Sequence, residues 1–89
     1  MFKEKDWKNF ANYYIHVKTE RKNTKELLIK FENDQELVGV IEGLVGKNTL
    51  DWIERKIPAL DNIRPIDCIG NKSEIKKLKK MLMNMAEWV

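Results

Sequence analysis

The sequence contains few of the residues that build covalent cross-links, metal sites or catalytic pairs. Among its 89 residues it has one cysteine, Cys68, and one histidine, His16. One cysteine excludes an internal disulfide, and with one histidine it cannot supply the four ligands of a structural zinc site. We therefore expect no metal, and a chain without disulfides is typical of a reducing cytoplasm.

Long apolar runs are also missing. No stretch approaches the roughly 20 apolar residues that a transmembrane helix needs. The opening residues, MFKEKDW, lack the apolar core of a signal peptide. These absences predict a cytoplasmic protein without a membrane partner.

Charged residues are abundant but nearly balanced. Lysine and arginine number 17 against 14 acidic residues, which gives a formal net charge of +3. This balance permits nucleic-acid binding without indicating it. Hydrophobic residues make up 43% of the chain, which suffices for one modest core at this length.

Apolar residues recur at helical spacing along most of the chain. The first such stretch begins at Asp6, a candidate N-cap, and continues to about Arg21. Within it YYIHV also suits a β-strand, but the helical spacing starts upstream of these residues. We favour the helix.

Helix-start and helix-stop signals divide the remaining residues. Together with the first helix they predict an all-α fold, a small single-domain bundle of four to six short helices without a strand. The predicted boundaries are a start at Asn23 with Glu26, Asn33 to Gly46, Asn48 to Pro58, Pro65 to Gly70, and Asn71 to near the C-terminus.

The sequence offers no pattern of catalytic groups. It lacks a nucleophile with a base, paired carboxylates on one helix face and a glycine-rich phosphate loop. His16 falls opposite the Trp7 face of the first helix, which is typical of a solvated histidine. Cys68 lies in a short apolar segment, which is typical of a small core residue. We therefore expect neither an enzyme nor a cofactor.

The lysines of the last helix allow two interpretations. Lys72, Lys76, Lys77 and Lys80 either form the solvated face of an amphipathic helix or contact nucleic-acid phosphates. No aromatic residue alternates with them, as a platform for stacking single-stranded bases requires. A clear helix-turn-helix motif is also missing.

Two further features leave alternatives open. Gly39 and Gly43 have GxxxG spacing, which indicates either close packing against a partner or second copy, or simple tolerance of glycine. The last residues, AEWV, place a tryptophan where chains usually fray. Trp88 therefore either folds back on the core or meets a partner.

The segment DWIERKIPALDNIRPIDCI is predicted to form a rigid corner. We expect Trp52 and Ile53 to lie in the core, on a short helix that Pro58 ends. Leu60 then anchors the loop, and Pro65 starts the next helical turn. Between them the Asp-Asn pair tolerates left-handed backbone geometry.

This corner resembles the "WL…PxxL.G..P…L" signature of the Xre/MbcA/ParS-type antitoxin toxin-binding domain. The spacing matches without a gap from Trp52 to Ile69, and flanking helices extend the resemblance over about residues 34 to 89. Asn62 stands where the family usually has its turn glycine. The residues that carry the resemblance are Trp52, Ile53, Pro58, Ala59, Leu60, Asn62, Arg64, Pro65 and Ile69.

The resemblance implies an N-terminal helical extension over residues 1–33 and an antitoxin-like toxin-binding domain over 34–89. It implies a bacterial toxin-antitoxin system in which this protein neutralises a RES-type toxin, an NAD-consuming enzyme, by covering its active site with the C-terminal region. The alternatives are a small DNA-binding or regulatory protein and a homo-oligomeric interaction module. The expected partner-binding residues are Lys80, Asn84, Met85, Trp88 and Val89, and the expected structural residues are Trp52, Pro58, Leu60 and Pro65.

Overall fold

A computed structural model describes residues 3–16 and 24–86. In these two ranges the chain forms five α-helices and no strand, and the predicted all-α fold is confirmed. The α-helices are α1 (Glu4–His16), α2 (Thr24–Lys30), α3 (Gln35–Val45), α4 (Thr49–Trp52) and α5 (Lys72–Met85), with 3₁₀ helices at Gly46–Asn48, Pro58–Leu60 and Pro65–Cys68.

Helix α1 begins earlier than its sequence signal indicated. It starts at Glu4, so Asp6 lies in its first turn and is not the N-cap. A carboxylate there is still favourable because the helix dipole is positive at this end. The helical backbone continues to His16, so the strand interpretation of YYIHV is wrong for its described residues. Val17 and the predicted extension to Arg21 lie outside the described residues, as does the Asn23 cap.

Helix α3 is bounded by side-chain and backbone caps. Its N-cap is Asp34, whose carboxylate accepts a hydrogen bond of 3.1 Å from the Leu37 backbone N–H. The predicted capping role of Asn33 is wrong, because Asn33 has a left-handed backbone with φ of 63° and belongs to the preceding turn. The predicted stop at Gly46 is confirmed, since its φ of 79° suits glycine and ends the helix.

Helix α5 starts where the sequence predicts. The side chain of Asn71 accepts a hydrogen bond of 3.1 Å from the Glu74 backbone N–H, which makes Asn71 the N-cap. Leu78 and Leu82 are fully buried on the inner face of the helix. Met83 is also buried, at 3% exposure.

One hydrophobic core joins the described helices. Trp7 and Phe10 of α1 are buried together with Ile41 of α3 and Leu82 of α5. The predicted division at residue 33 therefore does not separate two cores. The buried apolar residues are Trp7, Phe10, Ala11, Leu27, Phe31, Leu37, Val38, Val40, Ile41, Ile53, Leu60, Cys68, Leu78, Leu82 and Met83.

The contact between α1 and α3 depends on a glycine. A Cβ atom added at Gly43 would lie 2.3 Å from Cδ1 of the Tyr14 ring, well inside van der Waals contact. The close contact indicated by the GxxxG spacing is therefore made at Gly43 within the chain itself. The Tyr14 ring is held there by an edge-on contact with Phe10, at 5.1 Å between ring centroids.

Candidate functional site: the corner and the outer face of α5

The predicted corner forms, and two backbone hydrogen bonds to residues beyond its first helix determine where that helix ends. Helix α4 ends at Trp52, well before Pro58. The Ile53 carbonyl accepts from the Ile66 N–H at 3.0 Å, while the Ile57 N–H donates to the Ile63 carbonyl at 3.3 Å. In a continuing helix the Ile57 N–H would donate to the Ile53 carbonyl. The prediction that Pro58 ends this helix is therefore wrong; Pro58 instead begins a 3₁₀ helix.

Two of the four predicted structural residues, Leu60 and Pro65, take the expected places. Leu60 is fully buried, and Pro65 is buried and begins a 3₁₀ helix. Trp52 is only half-buried and packs against the core, so its predicted place within the core is wrong. Its neighbour Ile53 is fully buried, as predicted; the two differ because successive residues on a helical turn point about 100° apart.

The turn at the tip of the corner has the predicted left-handed geometry. Asp61 and Asn62 have φ values of 58° and 63°. Asparagine and aspartate tolerate this region better than other residues with a side chain.

An ion pair connects the turn to α5. Lys77 Nζ lies 2.7 Å from an Asp61 carboxylate oxygen. This hydrogen bond raises the pKa of Lys77 above its usual value. Both side chains are more than half exposed, so the pair fixes local geometry more than it adds stability.

Cys68 is a core residue, as predicted. Its side chain is fully buried and its Sγ lies 3.7 Å from the Arg64 carbonyl oxygen. Burial, together with the nearby Glu74 and Asp67 carboxylates, raises the pKa of the thiol to about 11. Since the thiolate is the nucleophilic form, Cys68 is a poor nucleophile at neutral pH.

The corner and α5 enclose an open groove, which we call the corner groove. It has a volume of about 440 Å³ and lies between the 3₁₀ helix Pro58–Leu60 and the outer face of α5. Its lining residues are Ala59, Lys77, Lys80, Met81, Asn84 and Met85.

Three of the predicted partner-binding residues meet in this groove. Lys80, Asn84 and Met85 are all exposed, and Met85 keeps 48% of its surface accessible. Trp88 and Val89 lie outside the described residues. Sequence reasoning missed Ala59, Lys77 and Met81 as lining residues. Spacing of four residues could have found Lys77 and Met81, which share a helical row with Met85, but no sequence signal brings Ala59 to α5.

The lysines proposed to contact nucleic acid are divided between two grooves. Lys77 and Lys80 line the corner groove, whereas Lys72 and Lys76 line a second groove with Lys79 and Glu4. Lys79 Nζ lies 3.6 Å from the Glu4 carboxylate and 5.3 Å from the centre of the buried Trp7 ring. Lys77 and Lys79 are therefore engaged within the protein, which leaves fewer cations for a phosphate backbone.

The described residues contain no group of three or more histidine, cysteine, aspartate or glutamate side chains placed to hold a metal ion. Among the same residues, no helix combines the length and the apolar character needed to span a bilayer. The corner groove is the surface feature in which the predicted partner-binding residues meet. It places thioether side chains between lysines and an amide. Such a surface suits protein contacts, because methionine adapts its shape to varied apolar groups.

No protein-family model, curated protein or solved structure matches this chain.

Proposed function

We propose that this protein is antitoxin-like and that it binds and neutralises a RES-type toxin, an NAD-consuming enzyme, with the corner groove and the C-terminal region facing the toxin. The observation that carries the proposal is the meeting of Lys80, Asn84 and Met85 beside the corner. The resemblance implies the same three residues for partner binding, and it does so without reference to Ala59.

The rigidity of the corner supports a role in recognition. Leu60 and Pro65 are buried, and the turn between them is tied to α5 through Asp61 and Lys77. A surface held in its binding shape loses little conformational entropy on association. An exposed anchor such as Met85 can then contribute its burial directly to affinity.

A non-enzymatic role is consistent with the side chains present. The single thiol is buried with a raised pKa, and the described carboxylates do not gather into a metal site. We propose that the protein acts by obstructing the toxin and uses no cofactor.

The test begins with the neighbouring genes: a RES-domain protein encoded there would be co-expressed with this chain, with growth and cellular NAD as readouts. Expression of this chain should restore both. Purified protein lacking residues 87–89, and the Met85→Ala variant, should bind the toxin about tenfold more weakly, which corresponds to about 1.4 kcal/mol. Ile29→Ala is the matched control, because Ile29 is 78% exposed on α2, outside the corner groove.

Absence of a RES-domain neighbour, or NAD loss that this chain does not prevent, would overturn the proposal. Binding of duplex DNA with a steep decrease in affinity as salt rises, as counterion release demands, would favour the regulatory alternative. A truncated variant that melts earlier but keeps its toxin affinity would place Trp88 in the fold and not in the interface.

A further inference from the structure

The corner groove has an unequal distribution of charge that limits what can bind in it. Two cations, Lys77 and Lys80, lie among its lining residues, and none of the lining residues that the structure describes is acidic. Lys77 is already paired with Asp61. Lys80 is exposed and has no ion pair within residues 3–16 and 24–86. Within these ranges, one positive charge at the edge of the groove therefore has no partner.

The floor beside that charge is apolar and deformable. Met81 and Met85 are separated by one helical turn on α5, with Ala59 on the opposite wall. Lys80 and Asn84 form the neighbouring row, also one turn apart. Residues spaced by four along a helix are about 6 Å apart along its axis. A carboxylate and an apolar side chain one turn apart on a partner helix have the same spacing. The carboxylate can therefore face the row of Lys80 while the apolar side chain faces the row of Met81 and Met85.

We infer that the corner groove binds an acidic, apolar protein segment, in which a large apolar side chain packs on Met81 and Met85 and a carboxylate pairs with Lys80. This inference rests on the proposed function, since it describes the toxin segment that would occupy the groove. The Asn84 amide is placed to hydrogen-bond with polar groups of the same segment, because the structure gives its side chain no hydrogen bond among the described residues.

The same features argue against two other occupants. A nucleic-acid strand needs several cations along its backbone and aromatic rings for its bases, whereas the lining residues that the structure describes offer no aromatic ring and one lysine without an ion pair among residues 3–16 and 24–86. A second copy of this chain would carry the same formal charge of +3, and like charges oppose association.

The methionines supply an internal test that needs no toxin. The chain has four methionines, and methyl-¹³C labelling would report on Met81 and Met85 in the groove. Met83, at 3% exposure, is the control for general perturbation. The probes are three short helical peptides that differ at two positions one turn apart: Leu with Glu, Leu with Lys, and Ala with Glu.

The Leu–Glu peptide should shift the Met81 and Met85 methyl signals and leave Met83 in place, and the other two peptides should shift them far less. Lys80→Gln should weaken binding of the Leu–Glu peptide about two- to fivefold, as expected for an exposed ion pair. Lys76→Gln, on the same helix but outside the corner groove, should leave that affinity unchanged.

Equal responses to the Leu–Glu and Leu–Lys peptides would overturn the inference, as would unmoved Met81 and Met85 signals. A shift that follows protein concentration without peptide would assign the groove to a second copy, and a larger shift with duplex DNA would assign it to nucleic acid. These outcomes are independent of toxin neutralisation. A groove that selects the acidic peptide in a protein that fails to neutralise the toxin would overturn only the proposed function.

Discussion

Replacing Gly43 with alanine should destabilise the protein, against the usual effect of this substitution in a helix. Gly43 lies within α3, where alanine normally gains up to about 1 kcal/mol over glycine. Here the added methyl group would lie 2.3 Å from Cδ1 and 2.9 Å from Cε1 of Tyr14. Cγ, at the base of the ring, would lie 3.3 Å away, so the methyl group meets the whole edge of the ring and a small movement of the ring's tip cannot avoid it.

The cost is the displacement of a packed ring. Overpacking of this kind costs about 1 to 3 kcal/mol. The displaced ring would also weaken its edge-on contact with Phe10, a type of contact worth about 0.5 to 1.5 kcal/mol. After subtracting the helix gain of about 1 kcal/mol, we expect a net loss of about 0.5 to 3.5 kcal/mol in the free energy of unfolding. In a domain of this size each kcal/mol lost should lower the melting temperature by about 4 to 8 °C.

The assay is urea and thermal unfolding followed by circular dichroism, on Gly43→Ala alone and in a Tyr14→Ala background. Without the ring the clash disappears, so the same substitution should become stabilising by up to about 1 kcal/mol. This reversal of sign is the decisive measurement. A Gly43→Ala protein at least as stable as the parent, or the same loss with and without the Tyr14 ring, would refute the proposed packing of α1 on α3.

Three further predictions follow from the corner. Asn62→Gly should raise the free energy of unfolding by about 0.5 kcal/mol, because its φ of 63° favours glycine; a loss in urea unfolding would contradict this. Leu60→Ala should cost about 2 to 5 kcal/mol and Trp52→Ala less, since only Leu60 is fully buried; a larger loss for Trp52 in the same assay would place its ring in the core. The Cys68 thiol has a pKa raised from 9.0 to about 11, so its contribution to stability is complete below pH 9.0 and is lost as pH rises through about 11. The parent's melting temperature should therefore fall more steeply than that of Cys68→Ala across this window, and parallel curves would contradict the burial of the thiol.

The sequence by itself determined most of the local structure. Asn71, Gly46 and Gly70 mark their helix ends through caps and positive φ angles, which depend on a few neighbouring residues. The left-handed turn at Asp61 and Asn62 was predictable for the same reason. Periodicity likewise identified part of the buried faces of α3 and α5, including Leu37, Ile41 and Leu82, because a helix places residues three and four apart on one side.

Errors arose where two local signals competed. Asn33 and Asp34 are both good caps, and only the position of the preceding turn decides that Asp34 binds the Leu37 N–H. At α4 the proline suggested a helix to residue 57. The Ile53 carbonyl instead accepts from Ile66, a residue distant in sequence, and no local pattern encodes that choice.

The candidate site divides in the same way. The sequence and the resemblance selected Lys80, Asn84 and Met85, which one helix places on adjoining rows. Only the tertiary structure brought Ala59 opposite them and paired Lys77 with Asp61, leaving Lys80 as the lysine of the groove without an ion pair among the described residues. It likewise placed Tyr14 on Gly43. Helical spacing is fixed by the backbone within a few residues, whereas contacts between elements depend on how the whole core packs, and that packing determines which charges are neutralised and which surfaces remain open.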